Sequence, residues 1–491
     1  MEIKLAGYNV EADILDQLAP GEKEGLTPET ISAAYARISR SPKEIQALRK
    51  EAREDVLKAR NSNKTIIFEM SHHSIAEHAV FNFDIVGVSR LALEEIEKFR
   101  LVSYTEKSQR YVTLKGDYTT PSEIPSSDSL SLKKFNETIR IQNDFYEKAY
   151  EILKEYLFDQ HREKLENKSD KKTVEGWAKE DARYILSMAT QGQVGMTINA
   201  RNLEHLFRRF TMSQRNEVKE IGQLMYNLVE KITPSLILFP TPSKFETSLN
   251  SFNENLSKYT KNSPSPTRPG KEPVILHYTS NADEIILASM LAISHSLDYN
   301  TAYEIISKLQ SGEKENLFRE LFQVIEFFDS PPREFEMPEI MFQAVISASN
   351  FAQLKRHRMA TLISGDYHIE YGNIIPENIK ITGLEPEFSQ IIQSTNETYT
   401  YLKEKYGNVA DYILTNSHCR QVIMKMNLRE MYHFIRLRSD DHAQWDIRNL
   451  SDAILKHVKQ IMPLSSMVLC GKSSFTKEYE RIYNRKPGFQ I

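Results

Sequence analysis

Arg356-His357-Arg358 sets two permanent cations and one titratable ring on consecutive residues, with Lys355 just ahead of them. Grouped cations repel one another unless water or an anion answers them. On these residues alone the run reads first as a solvated basic helix end; the anion site, where guanidinium forks match phosphate oxygens, gains weight from a second stretch. Lys98-Phe99-Arg100 occupies a matching place in the first half of the chain. A polar loop, Ser103 to Tyr111, contains Glu106-Lys107-Ser108-Gln109-Arg110. The Ser108 hydroxyl and nearby backbone N–H groups can complete a phosphate cradle, or Ser108 is an ordinary loop hydroxyl. As a nucleophile it lacks an adjacent His or Lys base. His72, His73, Glu77 and His78 form a compact set that reads as metal ligands, cofactor contacts or polar packing. The H-E-x-x-H order is absent, and no metal is expected. Gly192-Gln193-Val194-Gly195 is read as a tight turn.

Local signals place these groups on elements. Thr27-Pro28-Glu29 opens a helix. Ser41-Pro42-Lys43-Glu44 reads as a capping box for a helix to about Arg60. Val80–Val88 is β-rich and partly alternating, a strand, after which Ser89 caps a helix from Arg90 to about Phe99. Helices are expected over 129–158, from about 174 to 191, and from Asn199-Ala200-Arg201 to just before Pro234. From Pro240 to Pro273, as in Asn262-Ser263-Pro264-Ser265-Pro266, the texture is that of an exposed linker. Beyond it come helices near 282–294 and 314–328, a strand Ile340–Ser347, a helix ending in Arg356-His357-Arg358, a loop Thr361–Tyr371, and a helical stretch from Asn427-Leu428-Arg429 through Arg448.

The chain of 491 residues is too long for one core. Hydrophobic residues make up 40% and charged residues 26%, as in a water-soluble globular protein. A net charge of −4 gives no general pull toward nucleic acid or anionic membrane, so any anion site is local. Two cysteines, Cys419 and Cys470, exclude a disulfide framework and a multi-cysteine zinc site. No long apolar run and no signal-peptide pattern is present, which makes cytoplasm the expected location.

The order of elements repeats across the linker. Asn199-Ala200-Arg201 matches Asn427-Leu428-Arg429, and Ala182-Arg183-Tyr184-Ile185-Leu186 matches Ala410-Asp411-Tyr412-Ile413-Leu414 at the same spacing ahead. One exchange is informative: Arg183 against Asp411. We read a repeat over 1–242, a linker over 243–273 and a second repeat over 274–491.

These residues resemble the flavin-dependent thymidylate synthases, whose signature is R-H-R-x-x-S-x-N-x-x-S-x-R. The second repeat keeps the front as Arg356-His357-Arg358, with Gln353 three residues earlier, but has Thr361, Ile363, Asp366 and His368 at the later positions. The first repeat reverses this: Lys98-Phe99-Arg100 in front, then Ser103, Thr105, Ser108 and Arg110. It also has His72-x-Ser74-x-x-Glu77-His78, similar to the family's H-x-T/S-x-x-E-H, of which the second repeat keeps Glu336. Leu437-Arg438 and His442-Ala443-Gln444 resemble L-R-x-x-x-H-A-Q, with Phe210 and Gln214 opposite in the first repeat.

The resemblance implies an α/β (α+β) domain, a mixed sheet flanked by helices, present twice. It implies reductive methylation of dUMP with FAD, NADPH and methylenetetrahydrofolate, at sites formed between subunits of a tetramer. Two chains of this protein would then form a pseudo-tetramer, a homodimer. The second repeat supplies Gln353, Arg356, His357, Arg358, Arg438 and His442; the first supplies Glu106, Lys107, Ser108, Gln109, Arg110 and Arg183. Together these rebuild one site. Arg110, Arg183 and Arg356 are candidates for phosphate and base. Arg438 is the candidate catalytic cation, activating the pyrimidine by charge without a covalent adduct, unless it simply pairs with Asp440 or Asp441. His72, Ser74, Glu77, Asn199, Arg201, Arg356, His357, Arg358, Asn427, Arg429, His433 and His442 are candidates for the flavin. The converse pairing brings Asp366 and Asp411 toward the phosphate. An opposite-charge pair at 4 Å is worth roughly 4 kcal/mol near a protein surface, so that exchange turns attraction into repulsion and the converse site is expected to be dead. A second reading is a non-catalytic nucleotide- or flavin-binding descendant; RNA binding is opposed by the net charge.

Overall fold

A computed structural model describes residues 1–15, 26–110, 112, 114, 116–260 and 272–489. Tyr111 and the Asn262–Pro266 part of the linker lie outside them. The fold is α+β, with two four-stranded sheets of the same order. In the first, β1 (Glu2–Tyr8) and β4 (Gln191–Asn199) flank β2 (Val80–Ser89), and β3 (Ser103–Glu106) pairs with β4. In the second, β5 (Val274–Tyr278) and β8 (Cys419–Asn427) flank β6 (Glu339–Ser347), and β7 (Thr361–Tyr367) pairs with β8.

Both sheets are wholly antiparallel, which corrects the expectation of a mixed sheet. The reason lies in where the chain returns. β4 begins at Gln191, opposite Ser89, the end of β2; β8 begins at Cys419, opposite Ser347, the end of β6. The crossover from β2 to β3, and from β6 to β7, leaves a gap between two strands that run the same way, and the returning β4 or β8 fills it in the opposite sense, so no two neighbours are parallel. Alternation fixes the register. Phe81, Phe83 and Ile85 on β2 and Val194, Met196 and Ile198 on β4 face one core; Ile340, Phe342, Ala344 and Ile346 on β6 and Val422, Met424 and Met426 on β8 face the other. A one-residue slip would expose each set, at roughly 1.5–3 kcal/mol per large side chain.

The helices that position the site follow the central strands. In the first repeat these are α1 (Arg90–Ile96), α2 (Ser129–Gln160), α3 (Lys168–Ala182), α4 (Ala200–Thr211) and α5 (Asn216–Val229). Helix α6 (Lys244–Ser257) lies in the segment read as a linker; a Ser243–Glu246 capping box starts it. In the second repeat they are α7 (Ala348–Leu354), α8 (Glu385–Tyr406), α9 (Leu428–Arg438) and α10 (Trp445–Ile461).

Several elements differ from expectation. The Gly192–Gly195 stretch is the start of β4, not a turn. A Cβ at Gly192 would come within 2.6 Å of Leu93 on α1, so the glycine serves close helix-on-strand packing. The loops around Ser103 and Thr361 contain strands β3 and β7. The helix expected to 191 ends at Ala182 in a single 3₁₀ turn, Arg183–Ile185, and the two long helices beginning at Asn199 and Asn427 each break in two. No capping box forms at Ser41; the helix there begins at Ile45 and stops at Asp55, which caps a new one, Val56–Lys64.

The chain divides into two compact units: Met1–Ser265 with Pro376–Thr415, and Pro266–Ile375 with Asn416–Ile491. The helical arm of the second repeat therefore belongs to the first unit. There α2 and α8 run antiparallel, joined by buried pairs: Thr138 with Thr398 (3.1 Å), Gln142 with Thr395 (2.9 Å) and Phe145 against Phe388. Ser187 bridges to Thr415, its counterpart in the other repeat. Among the described residues no helix is long and apolar enough to cross a membrane.

Candidate functional site

Each central strand ends in a serine that caps the next helix. Ser89 Oγ accepts the Ala92 N–H and Ser347 Oγ that of Asn350, both at 3.0 Å. Each hydroxyl also donates to a carboxylate at 2.5 Å: Ser89 to Glu217 at the start of α5, Ser347 to Asp446 at the start of α10. These paired anchors fix where α1 and α7 end, and hence where the residues beyond them point.

In the second unit, α7 closes in a tight turn, with the His357 N–H donating to Leu354 O and the Ala360 N–H to His357 O. Arg356 and Arg358 flank His357 on that turn, Arg358 being exposed. The His357 ring is buried at 2% exposure. Its Nε2 accepts the Arg438 Nε–H at 2.9 Å, and Arg438 Nη2 also donates to Gln353 O at 3.1 Å. Gln353 Nε2 in turn donates to Gln444 Oε1 at 3.3 Å. Phe434 packs edge-on against the imidazole, with His433 beside it. Burial, and then the Arg438 and His433 charges, push the His357 pKa well below the ordinary value. A neutral imidazole is what an acceptor for Arg438 must be. Asp440 binds the His442 N–H and ring and the Ser473 N–H.

At the other end of α9, Asn427 caps the helix by accepting the Glu430 N–H, and Arg429 donates to Glu336 and to Pro331 O. Arg429 and Arg438 are thus roughly 14 Å apart along the helix at 1.5 Å per residue. The same end of the first unit carries the matching pair, Arg201 with Glu77. This explains why Glu336 alone persists from the first repeat's histidine motif: it holds the Arg of the capping segment. Asn199 caps α4 through Asn202 N–H. His72 caps the 3₁₀ turn His73–His78, with Ser74 exposed on it. A cavity of about 470 Å³ opens here, lined by Phe68, His73, Arg201, His205, Arg208 and Phe239, among others.

The phosphate-loop candidates sit at the opposite end of the first sheet. Lys107 N–H extends the β3–β4 ladder to Gln193 O, Ser108 Oγ accepts the Arg110 N–H at 3.1 Å, and Arg110 pairs with Glu180 on α3. Lys107 is exposed, Gln109 buried. Arg183, on the 3₁₀ turn after α3, is 5% exposed. Burial lowers its pKa, Tyr184 and Glu180 oppose this, and Arg90 and Arg110 add to the lowering. Arg90, which pairs loosely with Glu106 at 3.9 Å, was missed from sequence. A cation on the buried first turn of the apolar helix Arg90-Leu91-Ala92-Leu93 was the available signal. β2 separates this group from His72, Ser74, Glu77 and Arg201 by its whole length, roughly 30 Å. The first repeat therefore offers its two sets of candidate residues to two different places.

The class is that of an α+β domain present twice in one chain, with the same sheet order in each copy. The chain belongs to the family described as Thymidylate synthase complementing protein, whose model matches residues 24–235 and again 274–464. UPF0159 protein Ta1429 of Thermoplasma acidophilum is 23% identical over 439 residues, spanning 82% of this chain and 86% of that protein. A flavin-dependent thymidylate synthase of Clostridium tetani is 28% identical over 218 residues, 44% of this chain and 83% of its own. One of Geobacter sulfurreducens is 30% identical over 171 residues, 35% of this chain and 65% of its own. Both named synthases align with less than half of this chain, as a tandem duplication requires.

Proposed function

We propose that the chain is a flavin-dependent thymidylate synthase, converting dUMP, methylenetetrahydrofolate, NADPH and a proton to dTMP, tetrahydrofolate and NADP⁺. The productive site combines Gln353, Arg356 and Arg438 from the second repeat with Ser108, Arg110 and Arg183 from the first. One observation carries this reading. The hydrogen-bonded set Gln353–Arg438–His357 is intact at the second helix end, whereas Glu95, Phe210 and Phe99 stand at its counterparts. Conversely, the cation Arg183 faces the carboxylate Asp411 in the alignment of the repeats.

In this mechanism Arg110, Arg183 and Arg356 bind the phosphate and orient the base. Arg438, oriented by the His357 imidazole and the Gln353 carbonyl, directs its charge at the pyrimidine. It stabilises negative charge on the ring carbonyl in the activated pyrimidine, from which ring C5 attacks the methylene carbon. The flavin, when bound, supplies the hydride relay from NADPH to the transferred methylene. The lining of the first-unit cavity fits such a group: aromatic edges from Phe68 and Phe239 for a planar ring, and Arg201 and Arg208 for a diphosphate. His72, Ser74, Glu77 and Asn199 border that end of the sheet; His357, Arg358, Asn427, Arg429, His433 and His442 are the second repeat's candidates. A homodimer would supply the four repeats of a family tetramer.

The test is anaerobic turnover of dUMP with methylenetetrahydrofolate and NADPH in deuterated water. The expected product is thymidylate with deuterium in its methyl group, because hydrogen relayed through a flavin exchanges with solvent, from a protein that purifies with a flavin spectrum. Flavin and dUMP binding without any methylated product would identify a non-catalytic descendant and overturn the reading.

A further inference from the structure

The place in the first unit that corresponds to the Gln353–Gln444 contact is filled by charge. Glu95 stands at the Gln353 position, counted from the capping serine, and Arg215 stands at the Gln444 position, the N-cap of the helix that follows. Arg215 Nη1 lies 3.5 Å from Glu95 Oε1, and its Nη2 donates to Asp411 Oδ2 at 2.7 Å. Lys98, at the Arg356 position, is taken up by Glu95 at 2.8 Å, and Lys403 approaches the other Asp411 oxygen at 3.8 Å. Phe99 and Phe210, at the His357 and Arg438 positions, meet edge to face with centroids 6.0 Å apart. Every position that would handle a nucleotide here has thus changed, and the changes answer one another. Arg215 sits where the second repeat places the Gln444 amide and spends its guanidinium on two carboxylates of the chain itself. The Asp411 side chain is 1% exposed and that of Arg215 11%, so the pair is a buried one.

We infer that this helix end is a retired nucleotide site, closed from within by Arg215, and that each chain consequently binds one pyrimidine nucleotide and not two. The inference rests on the function proposed above, since it takes the second repeat's residues as the nucleotide-handling set. The Asp411 carboxylate repels a phosphate, the aromatic pair removes both the imidazole and the catalytic guanidinium, and Arg215 fills the space between. The array has become a tie holding the Pro376–Thr415 arm to α1 and α5 of the same unit. Tyr412, next to Asp411, continues it by donating to Glu217 at 2.7 Å.

Equilibrium dialysis of dUMP against the full-length flavin-loaded protein tests this directly. One dUMP per chain at saturation is expected. Two per chain would overturn the inference while leaving the synthase reading standing; no binding at all would sink the synthase reading and the inference with it. The variant E95Q/R215Q, which transplants the second repeat's amide pair, separates a closed site from a contributing one. It is expected to keep the stoichiometry at one and the dissociation constant within twofold, with a lower Tm. A tenfold or larger weakening of dUMP binding would mean that Arg215 or Glu95 contacts the nucleotide, and the retired site would have to be given up. If that variant fails to fold, the isosteric D411N carries the same comparison.

Discussion

The two helix ends that follow Ser89 and Ser347 are built on one backbone plan and have opposite chemistry. After Ser347, Gln353, His357, Arg438 and Gln444 make a neutral amide contact and a guanidinium–imidazole bond. After Ser89, the counterparts Glu95, Phe99, Phe210 and Arg215 make an ion pair and an aromatic pair. Neither set mixes with the other. A His paired with Phe210, or Phe99 beside an arginine, would leave a buried donor or acceptor unmet at about 1–3 kcal/mol. The exchanges therefore had to come in pairs, which is how a duplicated site specialises without losing its fold. The carboxylate anchors Glu217 and Asp446, which hold the serine caps, stayed acidic in both.

Activity gives the widest separation between the two ends. Arg438→Ala, Arg356→Ala and Arg183→Ala are each expected to lower thymidylate formation by about 10²- to 10³-fold, as removal of a transition-state donor does elsewhere. Lys98→Ala, engaged with Glu95 at the first end, is expected to stay within twofold. Steady-state kinetics on the four variants decides it: a loss in Lys98→Ala equal to that in Arg356→Ala would erase the asymmetry.

Stability separates them in the other direction. Asp411→Ala leaves the buried Arg215 without its main partner and is expected to cost about 3 kcal/mol, read as a shift in urea midpoint. Substituting Asp366, its companion in the expected converse site, is expected to change the midpoint little, because that side chain lies in an exposed stretch of β7.

His357→Phe copies the first end into the second. With Arg438 no longer oriented, kcat is expected to fall about 10- to 100-fold with KM little changed. His357→Gln, whose carbonyl still accepts from Arg438, is expected to recover much of this. An equal fall in both variants would make the imidazole a direct participant and not a holder of Arg438.

What sequence could and could not show follows from the same residues. Strands β2 and β6 were readable because β-rich apolar residues alternate along part of each, and so was the Ser89 cap; Ser347 was read only as the end of its strand. Strands β4 and β8 were not: Gly192 and Gly195 dilute the alternation of Val194, Met196 and Ile198, and only the packing of Leu93 explains Gly192. The Arg-His-Arg run and the Arg183/Asp411 exchange were visible by aligning the repeats. Arg215 was not, because the loops before α5 and α10 differ in length, and an ungapped alignment puts Gln214 opposite His442. Nor could periodicity reveal that the Pro376–Thr415 arm folds with the first unit, since that depends on polar pairs such as Gln142 with Thr395, far apart in sequence.

The smallest effect is set by proton linkage at His357, a group the first end lacks. Its folded pKa lies below the unfolded value of 6.5. Above pH 6.5 neither state binds the proton and the contribution is constant. As pH falls from about 6.5 toward the folded value, only the unfolded chain takes up the proton, so stability declines, by at most about 1.4 kcal/mol per pH unit. Burial of the ring sets this sign first, and Arg438 and His433 add to it, while Glu430, 3.6 Å from Nδ1, is too distant to form a hydrogen bond that would stabilise the imidazolium. Urea titrations at pH 7.5 and 5.5 are therefore expected to show a larger acid loss in the wild type than in His357→Phe. An equal loss in the two would mean that the ring is charged in the fold. It would then donate where it is drawn accepting, and Arg438 would need another partner.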